Sequence, residues 1–95
     1  TVIEESTPIN LIEVYPNPFS DNTTISIYLS QSEKVKVEVY NLVGTKVASL
    51  FDANADSGTH TIFFSGNGLS DGVYICKFIV SDKEYFQKLL VVKEY

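Results

Sequence analysis

The chain has 95 residues, of which 44% are hydrophobic and 13% aromatic, so it can build one modest core but not two. Seven lysine and arginine residues stand against twelve aspartates and glutamates, which gives a net charge of −5 and leaves no basic stripe for a nucleic-acid backbone. No apolar run is long enough for a spanning helix. The composition therefore argues against nucleic-acid binding and membrane insertion and favours a single globular domain.

Residues 1–8 show no hydrophobic periodicity and are rich in Glu, Ser and Thr, which predicts the end of a linker, followed by one domain over residues 9–95. Ile9–Tyr15 is the first predicted strand, because apolar and polar residues alternate there. The strand ends at Pro16-Asn17-Pro18, since proline has no backbone N–H and holds the preceding residue extended. Taken alone, these three residues predict a rigid turn.

The next two strands, residues 23–29 and 35–40, alternate with a period of two, which predicts one buried face in each. The inward positions are Ile25, Ile27, Leu29, Val35, Val37 and Val39. Asn41-Leu42-Val43-Gly44 then predicts a type I turn, in which Asn41 bonds to the backbone ahead and Gly44 supplies a positive φ. The hairpin continues in a strand from Thr45 to about Phe51.

Residues 52–58 predict a loop, because small and polar side chains dominate there. Asp52, Asn54 and Asp56 match the first ligand positions of a calcium loop, but the turn glycine and the bidentate acid of that pattern are missing. We therefore expect a solvated loop and no metal site.

Residues 60–65, 73–80 and 84–93 are the last three predicted strands, and Ile62 and Phe64 point inward in the first of them. Residues 73–80 are apolar on nearly both faces, which predicts a central strand. About seven short strands without a helical pattern predict an antiparallel immunoglobulin-like β-sandwich.

Catalysis is not expected, because the chain has one histidine, one cysteine and no arginine. His60 stands at the start of a strand, where a structural or solvated histidine is the simplest interpretation. Cys76 cannot form an internal disulfide and lies in an apolar row, where a thiol behaves as a small hydrophobic group. The sequence thus predicts neither an enzyme nor a cofactor.

Five short motifs occur together and in order in the chain. They are Val-Tyr-Pro-Asn-Pro-Phe at residues 14–19, Val-Tyr-Asn-Leu-Val-Gly at 39–44, Gly-Thr-His at 58–60, Leu-Ser-Asp-Gly-Val-Tyr at 69–74 and Lys-Leu-Leu-Val-Val-Lys at 88–93. This series resembles the type A C-terminal sorting domain of the type IX secretion system of Bacteroidetes-type bacteria. The resemblance runs from about Ile12 to Lys93, and Glu94 and Tyr95 extend past the lysine that usually ends the last motif.

The resemblance implies an address rather than a catalyst. It implies an N-terminal cargo domain in the same precursor, entry of that precursor into the periplasm, and reading by an outer-membrane translocon. A sortase-like peptidase would usually remove the domain, and the cargo would reach the cell surface or be secreted.

By position, the resemblance assigns the sorting function to a proline motif, turn glycines, the penultimate strand and the last strand. These residues are Pro16, Asn17, Pro18, Gly44, Gly58, Gly72, Val73, Tyr74, Lys88, Leu89, Leu90, Val91, Val92 and Lys93. Residues 89–92 are apolar on both parities, which favours either recognition by strand addition to a receptor or a plain central strand covered on both faces.

Other functions stay open at this point. An accessory spacer or carbohydrate-binding module would need coplanar exposed aromatic rings, for which Tyr28, Tyr40, Phe63 and Tyr85 are the candidates. Unpaired sheet edges also permit a strand-swapped homodimer.

Overall fold

The computed structural model describes residues 9–93, so the predicted linker end at residues 1–8 lies outside the described residues, as do Glu94 and Tyr95. The described chain folds into seven strands. They are β1 (Ile9–Tyr15), β2 (Asn22–Leu29), β3 (Glu33–Tyr40), β4 (Lys46–Ala55), β5 (Gly58–Ser65), β6 (Gly72–Val80) and β7 (Lys83–Val91). In this part of the chain, no helix has the length and hydrophobicity needed to cross a membrane.

The strands form two antiparallel sheets that pack face to face. One sheet has three strands in the order β1-β2-β5, and the other has four in the order β4-β3-β6-β7. This confirms the predicted immunoglobulin-like β-sandwich of about seven strands. Strand β6 lies between β3 and β7, which confirms the prediction that it is central.

The core contains the inward rows that the alternation predicted, together with Phe19 and Ala55, which it did not predict. Each fully buried aliphatic or aromatic side chain contributes about 1.5–3 kcal/mol relative to exposure. The buried apolar residues are Phe19, Ile25, Ile27, Leu29, Val35, Val37, Val39, Ala55, Phe64, Tyr74, Cys76, Phe78, Val80, Leu89 and Val91. Ile62, predicted as core, is partly buried and packs against this cluster.

The predicted turn between β3 and β4 is confirmed in detail. The amide of Gly44 donates to the carbonyl of Asn41 at 3.1 Å, and Gly44 has a φ of +91°. The Asn41 side-chain oxygen accepts from the amides of Val43 at 3.1 Å and Thr45 at 2.9 Å. Asn41 therefore fixes both ends of the turn, and a register shift between Val39 and Tyr40 lies beside the turn in the β3–β4 ladder.

The predicted loop over residues 52–58 is wrong in its first four residues, because β4 continues to Ala55. Residues 52–55 pair with residues 33–36 of β3, and this ladder overrides the low strand propensity of Asp52 and Asn54. Only two residues remain between β4 and β5. The partial calcium-loop pattern therefore lies mostly on a strand and not on a loop.

Glu38 is a carboxylate buried on the outer face of the four-stranded sheet, with a relative exposure of 3%. The Tyr40 hydroxyl donates to it at 2.7 Å, and the ammonium groups of Lys46 and Lys36 lie 3.2 and 3.5 Å from its oxygen. The hydrogen bond from Tyr40, together with both lysines, lowers the pKa of Glu38 despite its burial.

Replacement of Glu38 by glutamine is expected to cost stability at pH 7 and progressively less in acid. Because the pKa of Glu38 is lowered on folding from 4.5, its contribution is present above that value and is lost as the pH falls through the folded pKa. Urea unfolding of both proteins at several pH values measures this difference. A gap in unfolding free energy that stays constant from pH 7 into strong acid would contradict it.

Candidate functional site

A short segment after β1 lies along the outer edge of the last strand. The Asn17 side-chain amide donates to the carbonyl oxygen of Lys88 at 2.8 Å, and its oxygen accepts from the amide of Leu90 at 2.9 Å. A primary amide offers one donor and one acceptor in the same way as a peptide group. Asn17 thus bonds to β7 as one residue of a neighbouring strand would.

Phe19 continues this pairing with its own backbone. Its amide donates to the carbonyl of Leu90 at 3.0 Å, and its carbonyl accepts from the amide of Val92 at 2.9 Å. These bonds form a parallel bridge between Phe19 and Val91. We call residues 16–19 the clasp, because they cover the edge of β7 over its last residues.

The clasp also joins the two sheets. The Phe19 ring is buried and packs edge-on against Phe64 of β5, with ring centroids 6.1 Å apart. Thr23, fully buried at the start of β2, donates its hydroxyl to the carbonyl of Pro16 at 2.7 Å. Phe19 and Thr23 therefore hold the clasp to the three-stranded sheet, while Asn17 and the Phe19 backbone hold it to the four-stranded sheet.

Two prolines shape the clasp. The peptide bonds Tyr15–Pro16 and Asn17–Pro18 are both cis. Because proline has no backbone N–H, neither Pro16 nor Pro18 has a donor that needs a partner. The chain bends at residues 16–18, where a rigid turn was predicted, and this bend also supplies a pairing surface for β7.

Lys93 anchors the chain beyond β7. Its ammonium group donates to the carbonyls of Gly66 at 2.9 Å and Ser20 at 3.3 Å, and its amide donates to the Asp71 carboxylate at 3.0 Å. Three separate segments thus converge on this one residue. The lysine at the end of the last motif therefore makes hydrogen bonds within the fold and is not simply a solvated charge.

Gly66 permits this close arrangement. Its amide donates to the carbonyl of Asp21 at 2.7 Å. A Cβ atom on Gly66 would lie 3.2 Å from the Phe19 ring and 3.3 Å from the Ser20 carbonyl. A side chain at this position would therefore be tightly crowded, because the clasp passes against the backbone.

The structure brings most of the predicted sorting residues to this end of the sandwich. Gly72, Val73 and Tyr74 pair with Val91, Leu90 and Leu89 across the β6–β7 ladder. The Tyr74 hydroxyl donates to the carbonyl of Ser70 at 2.8 Å, a geometry typical of the tyrosine corner of immunoglobulin-like sandwiches. The penultimate motif thus pairs with one edge of the last strand, and the clasp bonds to its other edge.

Two predicted residues lie away from this site. Gly44 is in the β3–β4 turn, separated from β7 by the width of β3 and β6. Gly58 pairs with Leu29, whereas the clasp adjoins the other end of β2 at Asn22. Both glycines have positive φ values, +91° and +117°, so the backbone itself accounts for them.

The structure contradicts one of the two sequence interpretations of the last strand, that of a plain central strand, and does not test recognition by strand addition. This strand is an edge strand in sheet order and not a central one, yet the clasp covers its terminal part. Leu89 and Val91 are fully buried, and Val92 is 42% exposed. The prediction that the strand runs to residue 93 is wrong by two residues, because β6 begins at Gly72, which is already paired with Val91.

Shallow grooves flank the clasp on both sides. One, of about 280 Å³, is lined by Asn17, Pro18, Val73, Gln87, Lys88 and Leu90. The other, of about 390 Å³, is lined by Pro16, Pro18, Phe19, Ser20 and Val92. The clasp and the last strand therefore form one surface with apolar walls, an amide and a lysine.

Sequence reasoning missed several residues of this site. Phe19, Ser20, Gly66 and Asp71 all hold the clasp or Lys93, but none was predicted as a site residue. Phe19 carried a usable signal, since a large apolar side chain after a proline turn indicates an anchor in the core.

The four candidate aromatic rings do not form a carbohydrate platform. Tyr28 and Phe63 lie on the outer face of the three-stranded sheet but pair with Thr59 and Thr24, four positions apart along β5 and β2. Tyr40 lies on the outer face of the other sheet, and Tyr85 packs against the core. The rings are scattered, so the geometry expected for glycan binding is not met.

The single histidine and cysteine have structural surroundings. The Nε2 atom of His60 lies 2.6 Å from the carbonyl oxygen of Asp56. Burial raises the pKa of the Cys76 thiol to about 12, so the reactive thiolate is scarce at neutral pH. Within residues 9–93, no group of three or more His, Cys, Asp or Glu is placed to hold a metal ion.

Cys76 is therefore expected to resist thiol reagents in the folded protein. Its side chain is fully buried, so labelling with a chromogenic disulfide at neutral pH should proceed only through unfolding and become rapid in denaturant. Rapid stoichiometric labelling without denaturant would contradict the burial of β6. The same reaction reports whether a variant of this chain is folded.

Comparison with known proteins agrees with this geometry. The sequence model of a family described as "Secretion system C-terminal sorting domain" matches residues 13–93. Comparison with curated proteins gave no match. The matched range begins within β1 and ends at Lys93, so it includes the clasp and the last strand.

Proposed function

The chain belongs to the secretion system C-terminal sorting domain family, and from that premise we propose how it acts as the address of a cargo protein. It is a sorting signal of type IX secretion, and its cargo precursor is exported across the outer membrane to the cell surface or the medium. The family is one of signals and not of catalysts.

For the route, we propose that the precursor first crosses into the periplasm and that an outer-membrane translocon then binds this domain. A sortase-like peptidase would separate the domain from the cargo after transport. The domain itself supplies recognition only. Its net charge of −5 does not favour nucleic acid as a partner, and the scatter of the four candidate aromatic rings among the described residues does not favour glycan.

For the residues, we propose that the signal is the composite surface of the clasp and the last strand in the folded domain. The observation that carries this proposal is the pair of bonds from Asn17 to Lys88 and Leu90. They join the proline motif to the terminal motif across more than seventy residues of chain. Two motifs that are distant in sequence would thus be read as one surface.

The folded state supports this choice over an extended terminal peptide. Leu89 and Val91 are fully buried, and the outward backbone groups of Leu90 already bond to Asn17 and Phe19. Strand addition at this stretch would first have to remove the clasp. The side chains left for a receptor are those of Lys88, Val92 and the clasp prolines, which line the two grooves.

The remaining predicted residues would act through the fold. Gly72, Val73 and Tyr74 back the last strand through the β6–β7 ladder, and Gly44 and Gly58 form turns with positive φ. We propose that these residues position the signal, and that among them only Val73, which lines one of the grooves, also lies on the surface that the receptor contacts.

The test is an export assay. Residues 1–95 are fused behind a fluorescent reporter that carries a periplasmic signal peptide, in a host with a type IX apparatus and in a matched host without its translocon. The proposal expects reporter outside the cell in the first host only. Retention in both hosts, while the first exports its own cargo, would contradict it.

The peptidase is tested in the same cultures. The exported reporter is expected to have the mass of the reporter without this domain, and a host lacking the peptidase should release or display the full-length fusion. Export of an uncut fusion in the presence of the peptidase would contradict cleavage by the peptidase. It would not contradict the function of the domain as a sorting signal.

A further inference from the structure

The first half of the last strand has an uncovered edge. In an antiparallel strand, the N–H and C=O of one residue point to the same side. Those of Leu90 point to the clasp. Because the repeat is two residues, those of Phe86, two repeats earlier, and of Glu84, three repeats earlier, point the same way. Within the described residues, no backbone bond reaches Glu84 or Phe86 from that side.

An aromatic ring stands at the middle of this edge. Leu89 and Val91 face the core, so the alternation of side chains places Phe86 on the outer face of the sheet. It is 62% exposed. Exposed edges with apolar side chains are the places where another strand adds to a sheet.

The charges around Phe86 are self-complementary. Glu84 precedes it by two residues and Lys88 follows it by two, and all three point to the same face. If a second copy of the strand runs antiparallel with Phe86 opposite Phe86, each Glu84 lies opposite a Lys88. Opposite charges and paired aromatic rings both stabilise cross-strand neighbours.

We propose that a second copy of this chain binds at this edge, with β7 antiparallel to β7 about a two-fold axis at Phe86. The two four-stranded sheets then form one continuous sheet across the interface. Such an isologous contact closes on itself and produces a dimer and not a fibre.

The clasp sets the length of the contact. In this register, the residue opposite Leu90 would be Asp82, which lies in the turn before β7. The second strand therefore leaves the edge where Asn17 begins to cover it. The Lys88 amide stays available for the partner, while its carbonyl is already held by Asn17. The second copy would thus cover the first half of the β7 edge, and the clasp covers the second half.

Glu84 is exposed enough to contact a second copy of the chain. Its carboxylate lies 3.5 Å from the Lys77 ammonium, and its side chain is 51% exposed. An exposed pair of this kind contributes little, so Glu84 can also approach a lysine of the second copy. The arrangement would place Glu84 between two ammonium groups.

The experiment is sedimentation equilibrium of residues 1–95 at neutral pH and low salt, up to about 1 mM protein, where weak dimers are detectable. Four variants are compared: Glu84→Lys, Lys88→Glu, the double exchange of both, and Glu13→Lys. Glu13 lies on β1 in the other sheet, so its variant has the same net charge as Glu84→Lys. Protection of Cys76 from labelling verifies that each variant is folded.

The proposal predicts a monomer–dimer equilibrium in the parent chain and in Glu13→Lys. Each single exchange at the edge places like charges opposite each other and weakens the dimer by about tenfold or more. The double exchange restores the opposite pairs and with them the dimer, and salt weakens the parent dimer. A monomer at every concentration overturns the proposal, and so does a dimer that the single exchanges leave intact. Because no secretion apparatus is present, neither outcome bears on the sorting function.

Discussion

Replacement of Leu89 by alanine is expected to lower the free energy of unfolding by about 2–5 kcal/mol, which is the range for a buried leucine that leaves a cavity. Leu89 has no exposed surface, and it pairs with Tyr74 at the centre of the motif residues. Urea unfolding followed by circular dichroism measures the loss. A domain of this size typically has about 5–15 kcal/mol in total, so the variant is expected to be markedly less stable.

Leu42 provides the matched control. It lies in the β3–β4 turn and is 69% exposed, so Leu42→Ala should change the unfolding free energy by less than about 0.5 kcal/mol. Equal losses in both variants would contradict the assignment of the last strand to the core.

The burial of Leu89 and Val91 changes how the last strand should be tested. Deletion of residues 88–95 removes two fully buried core residues as well as any signal that they carry. Loss of export after such a deletion would therefore follow from unfolding alone. Point substitutions that leave the core intact distinguish loss of the sorting signal from loss of folding.

Asn17→Ala is the second large expected effect. The variant loses the two side-chain bonds to Lys88 and Leu90, and at about 0.5–1.5 kcal/mol for each bond the unfolding free energy should fall by about 1–3 kcal/mol. The amide of Leu90 should also exchange with solvent faster, since its acceptor is gone. Urea unfolding and amide hydrogen exchange measure these two effects.

Asn54→Ala serves as its control. Asn54 is exposed near the end of β4, far in sequence from both the clasp and β7, and the same truncation there should leave the exchange of Leu90 unchanged. If Asn17→Ala and Asn54→Ala exchange alike at Leu90, the clasp does not hold the last strand in solution.

The strands could be predicted from the sequence because each has one buried face. The alternation at residues 25–29 and 35–39 is a local pattern that the packing of the two sheets preserves. The extension of β4 through Asp52 and Asn54 could not be predicted, since a partner strand decides it and not the residues themselves. Likewise, the burial of Glu38 depends on Tyr40 and Lys46 closing over it.

The site, too, could be predicted only where its signal is local in the sequence. The proline motif and the terminal motif were each visible as motifs, and their resemblance to a sorting family pointed to the correct function. Their contact was not visible, because Asn17 bonds to residues 71 and 73 positions away. A polar residue between two prolines predicts a turn, and only the three-dimensional structure places its amide on the edge of another strand.

Export of the Asn17→Ala fusion tests the central claim most directly. The reporter assay is run with the parent domain, Asn17→Ala and Asn54→Ala in the host with the type IX apparatus, at a temperature where protection of Cys76 demonstrates that all three are folded. If the clasp and the last strand form one signal, Asn17→Ala is retained in the cell while Asn54→Ala is exported like the parent. Export of all three to the same extent would contradict the composite signal.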